Sequence, residues 1–292
     1  MNSSLFFSFY YPRDTMHIIN NYILFDRLGK SVLNIEMDPE KEAEMKVVFH
    51  EDFCRSYTAD PAAEEGRIEA VVEVIGPHVE FVAAHPAPLE DIEAVHTKDH
   101  IARVRHLGLH EISSLAAGGS IQAATIGLAE PCFGLIRPPG HHASSDSSWG
   151  FCYYNNMAIA LEHLKGQGKI DTAFVLDFDL HFGDGTVNIL GRKDYVTIFN
   201  PQAYDRLSYM NEVLDKLEHC TADMIAISAG FDNHVQDWGG TLATGDYQEM
   251  GRAVRETSLR NHGGCFAILE GGYNHRVLGH NVLALIKGIS GT

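Results

Sequence analysis

An alternation in the sequence does most to constrain the fold of this chain. Short, near-continuous apolar runs recur at 46–49, 79–83, 132–136, 172–178, 195–199, 224–228 and 265–269. Between them lie amphipathic stretches of helical period, at 64–75, 112–128, 156–164, 209–219, 245–261 and 277–289. A strand that is apolar throughout must be covered on both faces, and a helix between successive strands lets them run parallel. The pattern predicts an α/β fold of one domain, with a central, mostly parallel sheet and helices on both faces. Residues 1–44 differ in character, with aromatics early and then a polar stretch ending Asp38-Pro39-Glu40-Lys41-Glu42-Ala43-Glu44. The domain is therefore expected over 45–292, with residues 1–44 as an N-terminal extension.

In such sheets, sites form beyond the carboxyl ends of the strands. After 132–136 comes Arg137-Pro138-Pro139-Gly140-His141-His142-Ala143. After 172–176 comes Asp177-Phe178-Asp179-Leu180-His181-Phe182-Gly183-Asp184-Gly185-Thr186. After 224–228 comes Ala229-Gly230-Phe231-Asp232, and after 265–269 comes Glu270-Gly271-Gly272-Tyr273. Each alone has a bland explanation: a turn, a structural histidine pair, a core aromatic. Four such exits at one sheet edge are hard to explain as packing. Asp179 and His181 are two residues apart, so at a strand end they project to the same side. With Asp232 they form a set of two carboxylates and one imidazole. Three protein ligands leave a coordination position open, the catalytic arrangement of zinc, which acidifies water and polarises a carbonyl. The oxygen-rich set would also suit Fe²⁺.

Charge and cysteine usage narrow the setting. The chain has 22 Lys and Arg against 39 Asp and Glu, a formal charge of −17, and no basic run. That excludes the basic stripe of a nucleic-acid binder, and suits a cationic substrate or simple solubility. Cys54, Cys132, Cys152, Cys220 and Cys265 are scattered, with no Cys-x-x-Cys pair, which points to a reducing, cytoplasmic setting. No apolar stretch approaches the ~18 residues that a membrane span needs. Leu5-Phe6-Phe7 lacks the basic flank of a signal peptide.

Taken together, Arg137–Ala143, Gly150-Phe151-Cys152-Tyr153-Tyr154-Asn155-Asn156, Asp177–Thr186, Ser228–Asp232 and Glu270–Asn274 resemble the signature motifs of histone deacetylases and acetylpolyamine amidohydrolases. The motifs arrive in the family's order and span about 45–290. The resemblance implies the arginase/deacetylase-like α/β fold, with Asp179, His181 and Asp232 as zinc ligands. It implies His141 and His142 as the tandem pair beside the attacking water, with Asp177 and Asp184 as their respective partners. Tyr273 would donate a hydrogen bond to the developing oxyanion, and Gly150 and Phe151 would line a substrate tunnel. Main-chain carbonyls of Asp177, Asp179 and His181, with Thr197 and Ile198, would hold a structural K⁺. The implied reaction is hydrolysis of an acylated amine, such as acetyl-lysine or a small acetylated amine or polyamine, releasing acetate. A ureohydrolase of the same fold uses two manganese ions and more metal-binding carboxylates, which fits His141, His142 and Tyr273 poorly. A non-catalytic ligand-binding homologue would be expected to have lost one of these three.

The chain departs from the family's pattern in places. Phe182 stands where many relatives carry a second histidine. The stretch 200–209 lacks the longer Gly-rich loop of relatives, and the loop within 105–114 is short, with no Tyr-Asp pair of the kind that grips a peptide backbone. Two short rims imply a wider, shallower mouth, or one completed by another subunit in a homo-oligomer. Trp238, in Asp237-Trp238-Gly239-Gly240, falls near the family's specificity position and reads either as a substrate contact or as a packed surface aromatic. No acidic gatekeeper of the polyamine-selective relatives is evident there.

Overall fold

A computed structural model describes Tyr22–Phe25, Ser31–Ile35 and residues 45–292. The chain divides into two units, Met1–Glu42 and Ala43–Thr292. Within the first, β1 (Tyr22–Phe25) and β2 (Ser31–Ile35) pair antiparallel. The rest of the extension expected over 1–44 lies outside the described residues.

The second unit is built on a seven-stranded sheet of β3 (Lys46–Phe49), β4 (Glu80–Ala83), β5 (Cys132–Gly134), β6 (Ala173–Asp177), β7 (Val196–Phe199), β8 (Met224–Ala229) and β9 (Gly264–Leu269). Its order is β4-β3-β5-β9-β8-β6-β7, and every neighbouring pair is parallel. Every residue of β5, β6, β8 and β9 is buried, which is why those strands read as near-continuous apolar text. The edge strands β4 and β7 have no fully buried residue.

The helices are α1 (Arg67–Ile75), α2 (Leu89–Glu93), α3 (Lys98–His106), α4 (His110–Gly127), α5 (Asn156–Gly166), α6 (Asp184–Leu190), α7 (Arg206–Glu218), α8 (Thr244–Arg260) and α9 (His275–Ser290). One packed group sets α4 on β3, β5 and β9, with α5 against it. A second group joins α1, α8 and α9, with α8 on β8 and β9. The small residues of α4 have a reason: a Cβ on Gly118 would overlap the His85 carbonyl. All six expected helices form, within a few residues of their expected ends. Three more among the described residues were not foreseen, namely α2, α3 and α6. The first and last are short, and α3 buries only His100, Ile101 and Val104 of its nine residues, too little to register as a hydrophobic period. The strand expected over 132–136 ends at Gly134, where the chain turns into the Arg137-Pro138-Pro139 segment.

Candidate active site

The four exits singled out in the sequence belong to β5, β9, β8 and β6, which are consecutive in the sheet. Adjacent parallel strands deliver their carboxyl ends to one place, so residues far apart in sequence meet above the sheet. Asp177 closes β6, and Asp179 and His181 follow it. Asp232 stands three residues beyond the end of β8.

One ligand atom each from Asp179, His181 and Asp232 lies within 4.8 Å of the others. His181 Nδ1 is 3.3 Å from Asp179 Oδ1 and 3.1 Å from Asp232 Oδ2. Main-chain donors hold the carboxylates: Gly271 N–H donates to Asp179 Oδ2 (2.9 Å), His181 N–H to Asp179 Oδ1 (2.9 Å) and Leu180 N–H to Asp232 Oδ1 (3.0 Å). Asp232 Oδ2 is buried and accepts no hydrogen bond. A buried carboxylate oxygen left without a donor beside a second carboxylate and an imidazole is what a cation site requires, so the three residues fit a metal ion.

The two histidines flank this cluster. His141 Nδ1 is 3.1 Å from Asp177 Oδ2, and its Nε2 is 3.8 Å from Asp179 Oδ1. His142 Nδ1 is 2.7 Å from Asp184 Oδ1. Asn155, the N-cap of α5, donates to the Ala143 carbonyl and so ties the histidine segment to that helix. A cavity of about 120 Å³ opens beside the histidines, lined also by Gly150, Phe151, His181, Trp238 and Tyr273.

A family model for the histone deacetylase domain matches residues 62–209 and 200–289. The chain belongs to the histone deacetylase family. It is thereby an amidohydrolase. It is 30% identical over 315 residues to a probable deacetylase of Archaeoglobus fulgidus, covering 84% of this chain and 86% of that one. It is 27% identical to a histone deacetylase-like amidohydrolase of Pseudomonas aeruginosa, covering 80% of this chain and 77% of the relative. The crystal structure of the HDA15 HD domain superposes with a TM-score of 0.73 at 22% identity, covering 85% and 90% of the two chains, which supports the fold.

The electrostatics of this histone deacetylase-family site follow from its crowding of buried carboxylates. Burial lowers the proton affinity of His141, but Asp179 and Asp177 outweigh it and hold the ring's pKa well above its ordinary value. His142 goes the other way, to about 4, through burial and the neighbouring charge of His141. Burial and repulsion from Asp179 push Asp232 up to about 6, while the Asp179 and Asp232 carboxylates beside its ring raise His181 to about 10. Such shifts describe a cluster short of positive charge. Burial raises the Tyr273 phenol, with Asp179 and Asp232 adding to the effect, so the hydroxyl keeps its proton and remains a donor.

The remaining expected residues divide in two groups. Gly150 and Phe151 line the cavity, both at positive φ (58° and 67°), and a Cβ on Gly150 would overlap His142 Cδ2. Trp238 also lines it, stacking on Tyr273 (4.0 Å between centroids, 24°) and meeting His181 edge-on. Thr197 and Ile198 stand apart from the cavity on β7, in register with Phe174 and Val175 of β6. Phe182 is exposed and outside the metal cluster. Both short rims are present: α3 and α4 are separated by Leu107–Leu109, and α7 begins at Arg206.

Three residues escaped the sequence reading. Arg67 is fully buried and donates from Nε to the Gly272 carbonyl (2.8 Å) and from one terminal nitrogen to the Glu270 carbonyl (2.7 Å), bracing the turn that carries Tyr273. An arginine in an amphipathic helix gives no sequence signal of burial. Glu270, buried and raised to about 7, accepts from Gly140 N–H (2.7 Å) and His141 N–H (3.2 Å). Its place at a strand exit was the available clue. Trp149 stacks on His142, and its position one residue before Gly150 was a signal left unused.

Proposed function

We propose that the protein is a zinc-dependent deacylase that hydrolyses an acylated amine, either acetyl-lysine or a small acetylated amine or polyamine, and releases acetate. The observation that carries this reading is the cluster of Asp179, His181 and Asp232, whose His181 lines one cavity together with His141, His142 and Tyr273. Asp179, His181 and Asp232 would hold the zinc, which when bound supplies Lewis acidity to the acyl carbonyl and acidifies water. Fe²⁺ fits the same donors. A K⁺ held by carbonyls of Asp177, Asp179, His181, Thr197 and Ile198 is proposed as a structural element.

The chain's own residues then act as follows. Asp184 occupies Nδ1 of His142, leaving Nε2 to take a proton from the attacking water. Asp177 orients His141 in the same way. The Tyr273 hydroxyl donates to the oxygen on which charge develops. Water adds to the acyl carbon, the C–N bond breaks, and the histidine pair returns a proton to the departing amine. The small cavity suits a short acyl group, and the short rims leave peptide and small-molecule amines both admissible. We assign this activity to residues 45–292. The five cysteines are unpaired, which suits a cytoplasmic enzyme.

The test is acetate release by zinc-loaded protein offered an acetyl-lysine peptide and an acetylated polyamine side by side, with Asp179→Ala as control. Turnover lost in the variant supports the reading, and the preferred amine names the substrate class. Turnover that survives in Asp179→Ala, or its absence on both amines despite stoichiometric zinc, refutes it.

A further inference from the structure

We propose that Trp149 is a positioning residue for the His142–Asp184 pair, a clamp that holds both partners from the solvent side. This rests on the deacylase reading, because it gives Trp149 its effect through His142.

The two histidine–carboxylate pairs differ in how they are held. In the inner pair, the side chains of His141 and Asp177 are 4% and 0% exposed, so the protein interior fixes them. In the outer pair, the Asp184 side chain is 37% exposed. A carboxylate in contact with water can rotate and exchange its hydrogen-bond partners, and a ring oriented by it would inherit that freedom. Trp149 meets this need with two contacts. Its indole N–H donates to both Asp184 oxygens, at 2.9 and 3.1 Å. The ring stacks on His142, with centroids 3.8 Å apart and planes 30° from parallel. One side chain thus fixes the carboxylate and the imidazole together.

The backbone supports this placement. Trp149 is followed by Gly150 and Phe151 at positive φ, a turn that carries the main chain tightly around His142. Because any Cβ at Gly150 would overlap His142 Cδ2, the turn closes on the ring only with glycine there. Trp149 remains 55% exposed, so burying apolar area is not what its contacts chiefly achieve. A surface aromatic held for packing alone would need neither the stack nor the paired hydrogen bond.

Two variants separate the contacts. Trp149→Phe keeps a ring for the stack and removes the donor, while Trp149→Leu removes both. In the zinc-loaded enzyme, Trp149→Phe is expected to lower kcat about tenfold with KM within about twofold, and Trp149→Leu to lower it further, the scale for groups that orient a reacting side chain. Unchanged kcat in Trp149→Phe, or a change confined to KM, would overturn the clamp in favour of a simple cavity wall. A second readout is independent of activity. The chain has two tryptophans, so ¹⁵N labelling gives two indole N–H signals, and loss of one in Trp149→Phe assigns Trp149. That signal should shift in Asp184→Asn while the Trp238 signal holds, with Asp184→Ser used if the Asn variant does not fold. A Trp149 signal indifferent to Asp184 would refute the clamp whatever the enzyme's activity. An inactive wild type would sink the deacylase reading, and the indole signals would still decide whether the clamp exists.

Discussion

Removing the buried guanidinium of Arg67 should cost both stability and turnover while sparing the metal site. Arg67 sits at the start of α1 and makes two short hydrogen bonds, to the carbonyls of Gly272 and Glu270, and a longer one of 3.4 Å to Ala62. Its guanidinium carbon also stands 5.5 Å from the centroid of the Tyr273 ring. Hydrogen bonds from a charged donor contribute about 1.5–3 kcal/mol each, so Arg67→Met forfeits about 3–6 kcal/mol from the two short ones. Relief from burying a charge works in the opposite direction, and a net loss of about 3 kcal/mol is expected. For a domain of this size, that is a fall in Tm of about 6–12 °C. The freed carbonyls belong to the turn carrying Tyr273, so kcat should fall as well. The metal content of zinc-loaded protein should hold, because Asp179, His181 and Asp232 take no hydrogen bond from Arg67. Arg67→Lys should behave much like Arg67→Met, since a single ammonium does not reproduce a planar fork spanning two carbonyls. Thermal melts, metal analysis and steady-state kinetics on both variants test this. A Tm within about 2 °C of wild type together with normal kcat would refute the argument that the turn depends on this side chain.

The remaining predictions concern the site itself. Tyr273→Phe removes the donor proposed for the oxyanion, and kcat should fall about 10²–10³-fold with KM little changed; a fall of less than about threefold would remove Tyr273 from the chemistry. Gly150→Ala should lose at least about tenfold in kcat, because the new methyl group meets His142 in a backbone conformation costing about 1–2 kcal/mol for an L-residue; wild-type kinetics would show that the turn can yield. Metal binding should release close to one proton at pH 7, measured calorimetrically in buffers of different ionisation enthalpy. The sign follows from His181: with its pKa raised to about 10, the metal-free ring is protonated at pH 7 and must give up that proton. Apparent affinity should therefore climb about tenfold per pH unit from 7 toward 10, and more steeply below about 6, where Asp232 must also deprotonate. A pH-independent affinity would exclude His181 as a ligand.

The sheet was legible because its central strands are buried on both faces and have little room for polar residues before their carboxyl ends. That physical demand writes β5, β6, β8 and β9 into the sequence as apolar runs and leaves the helices between them to carry the amphipathic signal. Strand order was not legible, since nothing in the text of β9 says that it inserts between β5 and β8. Order is set by long-range packing, in which α4 seats its small residues against the sheet and α8 packs on α9. The short helices were lost for a related reason: α6 starts within the Asp-rich exit of β6, and its seven residues complete too few turns to show a period.

At the site, the residues that could be read were those whose chemistry is costly to bury without a purpose. Asp177, Asp179, His181 and Asp232 stand at strand ends, where a hydrophobic pattern breaks off into charge, and a carboxylate is expelled from such a place unless something pairs with it. Residues that support the site through geometry carry no such mark. Arg67 reads as one more charge on a helix, and its burial becomes visible only when the Glu270–Tyr273 turn is brought against it. Trp149 reads as a loop aromatic until β6 delivers Asp184 to the N–H edge of its indole and β5 delivers His142 to the ring's face. Composition at strand exits thus points to the side chains proposed to hold the ion and move the proton, while the side chains that hold those atoms still are defined by distance, which exists once the chain has folded.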